Sequence, residues 1–220
     1  MSRMLIPFLM LGLAACSASY TGGEGDGGFS KVNGAVKVEA GQQAGDVSTV
    51  NGAIQIGEGA QVAKASTVNG AIHLGPRSQA KQINTVNGSI SLGEGARVDG
   101  DIGAVNGGIR LARGSEVTGK LHNVNGTIVL EAARVDGGIE TTGGDITVGA
   151  DSHVGAGILV DKPGGWSFGF SRDPRIVIGP GAVVDGTLEF RRSVELLVSD
   201  QAKIGPVKGA TAKMFSGDTP

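Results

Sequence analysis

The chain has one cysteine, Cys16, so no intrachain disulfide can form. Aromatic residues are nearly as scarce, at 4%, which excludes a core built on large rings. No run of one charge stands out: Lys and Arg are scattered among Asp and Glu, and the formal net charge is -2. Without a basic stripe or an aromatic platform beside one, nucleic acid is not an expected partner. What the chain has in abundance is glycine, 40 residues of 220. Hydrophobic content is nevertheless 40%, carried by Val, Ile, Leu and Ala, so the chain is not of the disordered class. Small apolar residues with many glycines suit an interior of closely stacked backbones, in one domain with a sizeable core.

The N-terminus reads as an export signal. Arg3 supplies a short positive region, and residues 4–15 form an apolar stretch of signal-peptide length, too short to span a bilayer comfortably. It ends in Leu13-Ala14-Ala15-Cys16, which resembles the bacterial lipoprotein box. That resemblance implies cleavage before Cys16, acylation of the cysteine and a membrane partner reached through its lipid. Ser17 stands where an Asp would suggest inner-membrane retention, so the outer membrane is expected, with either face open. Residues 16–30 then read as the lipidated cysteine and a Gly-rich tether, whose mean reach is roughly 20 Å.

From residue 31 a repeat takes over. Val-Asn-Gly triplets begin at Val32, Val50, Val68, Val86, Val105 and Val124, at intervals of 18 or 19 residues. Counting Val50 as zero, Ile54 and Ile56 fall at +4 and +6, and Ala60 and Val62 at +10 and +12. The intervening +5 residues Gln55, His73, Ser91 and Arg110 are polar. An Asn-Gly pair between apolar residues is also a hairpin signal. A hairpin array would mirror its pattern about each pair, whereas this pattern repeats by translation. The expected fold is therefore all-β, a single-stranded parallel β-helix (β-solenoid) over residues 31–207, with three short strands per coil and about nine coils. In each triplet we expect Val inward, Gly turning the chain with positive φ, and Asn at a corner. Asn33, Asn51, Asn69, Asn87, Asn106 and Asn125 then form a structural amide ladder. Residues 208–220 are a tail, with Met214 and Phe215 folding back as a cap.

The register breaks once, at residues 161–172, which carry Trp166, Phe168 and Phe170, three of the eight aromatics, beside Lys162 and Arg172. Two readings stand side by side. The rings lie flat on the solenoid and shield a packing defect, or Trp166, Phe168, Phe170 and Arg172 form a contact loop for an envelope protein, a glycan or the membrane.

Little else points to chemistry. His73, His122 and His153 fall at different places in the repeat, so no metal site and no cofactor is expected. Asp99, Asp101, Asp145 and Asp151 do not reproduce a calcium-binding nonapeptide. They read as solvated acids, and no catalytic residue is assigned.

The triplets, the GEGA corners at residues 57–60 and 93–96 and the GPGA corner at 179–182 resemble bactofilin-type polymer-forming proteins and the putative-adhesin solenoids of bacteria. The resemblance implies right-handed coiling, favoured over left-handed, and end-to-end self-association without nucleotide. Taken together, the sequence leads us to expect a non-enzymatic structural or adhesive scaffold at the cell envelope. The alternatives are a self-polymerising filament protein and, less in keeping with such short coils, a secreted carbohydrate-active enzyme.

Overall fold

Ile54, Gln55 and Ile56 show how the fold is made. The two isoleucines are buried and Gln55 points to solvent, as alternation along a strand requires. The pattern recurs at Ile72–Leu74 and Ile90–Leu92, each strand pairing in parallel with the next, so that Ile54 lies beside Ile72 and Ile72 beside Ile90. In the computed structural model, which describes residues 27–162 and 172–220, ten such strands form one ladder from Val36–Val38 to Ala212–Phe215.

Two more ladders complete each coil. The long strands Gln43–Asn51, Gln61–Asn69 and Gln79–Asn87 serve both at once. Beyond them a bend at Asp99 and Gly100 separates the two. The second ladder continues from Arg97–Val98 to Lys203–Ile204, and the third from Ile102–Asn106 to Val207–Lys208. The chain is thus a β-solenoid of about ten turns with three strands per coil.

The count of nine coils falls one short. Ala212–Phe215 does not fold back; it pairs in parallel with Glu195–Ser199, Met214 beside Val198, and adds a rung to the first ladder. A four-residue strand with two lysine-flanked apolar positions carries too little pattern to be read as a coil.

Aliphatic columns fill the interior. Ile or Leu stacks along the first ladder, and Ala60, Ser78, Ala96, Ser115, Ala133 and Ser152 alternate at a tight inner corner. The buried Ser78 hydroxyl donates to the Gly75 carbonyl at 2.7 Å, which removes its desolvation cost. Burying one Ile or Leu contributes about 1.5–3 kcal/mol, so these columns dominate each coil's stability.

The triplet valines are not part of them, contrary to expectation. Val50 is 40% exposed and Val124 39%, and Val32 in the first coil reaches 67%. The inward place belongs to the residue before: Thr49, Thr67, Thr85, Ala104, Asn123 and Thr141 are all buried. Alternation explains this. Val47 and Thr49 point in, so Val50 points out, and the strand ends at Asn51 before a fresh alternation starts at Ile54. Counting back six residues from Ile56 ignores that corner. Val160 accordingly aligns with Thr141, not with the triplet valines.

The glycine's role also needs correction. Of the six triplet glycines only Gly34 and Gly126 have positive φ, 105° and 128°. At Gly52, Gly70, Gly88 and Gly107 the requirement is space. A Cβ there would collide with the carbonyl of the corresponding glycine one coil earlier.

Candidate functional site

The outer surface is built of columns in which one residue type faces its counterpart a coil away. The asparagines form the most regular one. Asn51 donates its side-chain amide to Asn33 at 3.0 Å, Asn69 to Asn51 at 2.9 Å, and Asn87 to Asn69 at 3.0 Å. Asn106 and Asn125 continue it at 3.0 and 3.2 Å. The column is exposed, so its bonds compete with water rather than rescuing buried amides.

Beneath it runs a second polar column that the sequence reading missed. Thr49, Thr67 and Thr85 donate their hydroxyls inward to the carbonyls of Gly34, Gly52 and Gly70, at 3.1–3.2 Å. Further along, Thr141 donates to Asn123 at 2.6 Å, and Asn123 to the Gly126 carbonyl at 2.9 Å. The recurrent Thr before three of the triplets was the available signal.

Charged groups pair along and between coils. Arg97 bonds Asp99 at 2.6 Å and also Glu116, while Arg77 pairs with Glu58 and Arg110 with Glu131. The hydrogen bond that Arg97 donates to Asp99, and then the charges of Glu116 and Asp99, raise the pKa of Arg97 above its ordinary value. Arg191 is raised likewise, first by its hydrogen bond to Glu189.

The histidines occupy separate ladders. His73 Nδ1 lies 2.7 Å from the Ser91 hydroxyl, and His122 lies on the third ladder. His153, on the second, accepts from Arg134 at Nδ1 (2.7 Å) and donates from Nε2 to Asp185 (2.6 Å). Among the described residues no group of three or more His, Cys, Asp or Glu is placed to hold a metal ion. Asp101 accepts the Lys120 backbone N–H at 2.8 Å, and Asp151 sits in a turn at φ 57°.

Cys16, Trp166, Phe168 and Phe170 lie outside the described residues. The two legs of the insertion are described. Asp161 accepts from Arg191 at 3.4 Å, and its N–H donates to the Thr141 carbonyl at 2.8 Å. On the returning leg Arg172 pairs with Asp145, which also accepts the Arg175 N–H at 2.8 Å.

The solvent side of the first ladder changes character along the solenoid. Lys37, Gln55, His73, Ser91 and Arg110 are polar as expected, but Val129, Thr147, Val177 and Leu197 follow in register before Lys213. The +5 position is therefore not polar throughout.

Comparison with protein-family models, curated proteins and solved structures finds no match to this chain.

Proposed function

We propose that the chain is a non-enzymatic, lipid-anchored scaffold of the cell envelope, in which the solenoid forms a stiff body tethered through Cys16 to the outer membrane. The observation that carries this reading is how the polar surface is used. Asparagines bond asparagines, arginines bond carboxylates in neighbouring coils, and His153 is held between Arg134 and Asp185. Side chains that bond one another from coil to coil in this way are not gathered around a substrate. The apolar leader ending in Leu13-Ala14-Ala15-Cys16 supports the anchor.

The test is metabolic labelling of the full chain in a bacterial host with a clickable fatty acid. Label on the wild type in the membrane fraction, and none on Cys16→Ser, supports the anchor. A wild type that stays unlabelled in the soluble fraction removes it.

End-to-end assembly of the bactofilin-like kind is a second reading, favoured by Met214. This residue continues a core column through Val198 yet is exposed, because no described coil covers it. Against it stand Lys203, Lys208 and Lys213, one on each strand of the last coil, since lysines on sheet edges oppose edge-to-edge pairing. Electron micrographs across a concentration series decide: filaments support assembly, and isolated particles throughout rule it out.

A further inference from the structure

The six triplets are alike in sequence, but their Asn-Gly bonds are not held alike. Gly34, Gly52, Gly70, Gly88 and Gly107 each donate the backbone N–H to the asparagine carbonyl of the following coil, at 2.9–3.1 Å. Gly126 donates its N–H to no acceptor among the described residues. The side chain before it is also the least tied of the ladder's donors. Asn125 holds Asn106 at 3.2 Å, the longest bond in the column, and its own oxygen accepts no amide among the described residues.

The cause lies in the next coil. Asn123 pairs in register with Thr141, which sets Gly143 opposite Asn125, and glycine has no side-chain amide to offer. The backbone differs there too, since Gly126 has φ 128° whereas Gly52, Gly70, Gly88 and Gly107 have no positive φ.

An Asn-Gly bond carries its own reagents. The glycine nitrogen, unhindered by a side chain, attacks the amide carbon of the asparagine before it once it has given up its proton. A nitrogen whose N–H is bonded to a carbonyl is held out of that reaction, because the bond must break first. We propose that Asn125–Gly126 is a site of spontaneous covalent modification, where Asn125 deamidates through a cyclic imide while stacking protects the other five triplets.

The step balances with water as the only co-reactant. The Gly126 nitrogen forms a bond to Asn125 Cγ, and the bond from Cγ to Nδ2 breaks. Nδ2 leaves as ammonia, with its two hydrogens and the proton that the backbone gave up. Water then opens either C–N bond of the imide, and nothing is oxidised or reduced. One opening yields aspartate; the other yields isoaspartate, in which the main chain runs through the former side chain. Either product carries a carboxylate, which has no N–H to give Asn106. Asn125 is exposed, so water reaches it. Asp99 and Asp185 also precede glycines, but a carboxylate is a poor electrophile, and each is bonded, to Arg97 and His153. This inference stands apart from the scaffold reading and does not require the lipid.

Trypsin places the six triplets in separate peptides, since a Lys or Arg falls between each and the next. The full chain is incubated at mildly alkaline pH, either folded or unfolded in guanidinium chloride, and its peptides are mapped by mass spectrometry. Unfolded, the six asparagines should convert at similar rates. Folded, Asn125 should convert about tenfold faster than any of the other five, the factor expected when one hydrogen bond fewer must break. Asn125→Gln, whose longer side chain closes the ring far more slowly, should remove the product. Hydrogen exchange is an independent measurement: the Gly126 amide should exchange at least about tenfold faster than those of Gly52, Gly70 and Gly107. Equal rates across the folded triplets overturn the proposal, as does conversion led by any other asparagine. An Asn125 that stays intact in the folded chain while the unfolded chain converts overturns it equally.

Discussion

Asn69 gives its side-chain amide to Asn51, eighteen residues earlier, and its oxygen accepts the amide of Asn87, eighteen residues later. Each interior asparagine therefore makes two ladder bonds, while Asn125 makes one, to Asn106. With about 0.5–1.5 kcal/mol net per bond, and solvent competing at this exposed edge, Asn69→Ala should lower unfolding free energy by about 1–2 kcal/mol. Asn125→Ala should cost about half as much. Urea denaturation of both variants checks the ratio, and equal losses would mean that the ladder is not the cause.

Val68 and Ile72 are four residues apart and equally apolar, but only Ile72 is buried. Ile72→Ala should cost about 2–5 kcal/mol through lost burial and an unfilled cavity. Val68→Ala should cost less than about 1 kcal/mol, as surface changes do. Thermal denaturation of the pair separates an inward triplet valine from the outward one described above.

Two glycines offer a contrast of mechanism. Gly59 has φ 64° with open space around it, and the equivalent turns already accept Arg77 at φ 55° and Asp151 at φ 57°. Gly59→Ala should therefore cost about 1 kcal/mol, the ordinary left-handed penalty. Gly70→Ala drives a methyl group into the Gly52 carbonyl and should prevent the two coils from stacking, seen as insoluble or unfolded protein.

Raising sodium chloride to roughly 0.5 M, where exposed charges are strongly screened, should leave the melting temperature nearly unchanged. The arginine–carboxylate pairs are largely exposed, and exposed pairs contribute little. A steep fall in melting temperature with salt would show that these pairs, rather than the aliphatic columns, hold the coils.

The repeat was legible because translation leaves a mark that local chemistry cannot imitate. Ile54, Ile72 and Ile90 recur with the polar residue that follows each, which gave the strands, their direction and the period. What a period alone leaves open is phase at a corner. Val50 and Ile56 are six residues apart and both apolar, yet the bend between them puts one outside and the other inside. The buried Thr67 hydroxyl was equally hidden, since a threonine in a strand reads as outward until its partner, the Gly52 carbonyl, is located. The break in register between Val160 and Ile176 was legible as well, because Ile176 and Ile178 resume the spacing of Ile146 and Val148.

Ile146 and Ile176 are direct neighbours although thirty residues separate them, where eighteen or nineteen separate most such pairs. The ladders on either side keep their register, so the extra chain is absorbed entirely at one corner. A body organised this way is a ruler with interchangeable divisions. Its length is set by how many coils are present, and new chemistry can be grafted at any corner without disturbing the divisions above or below.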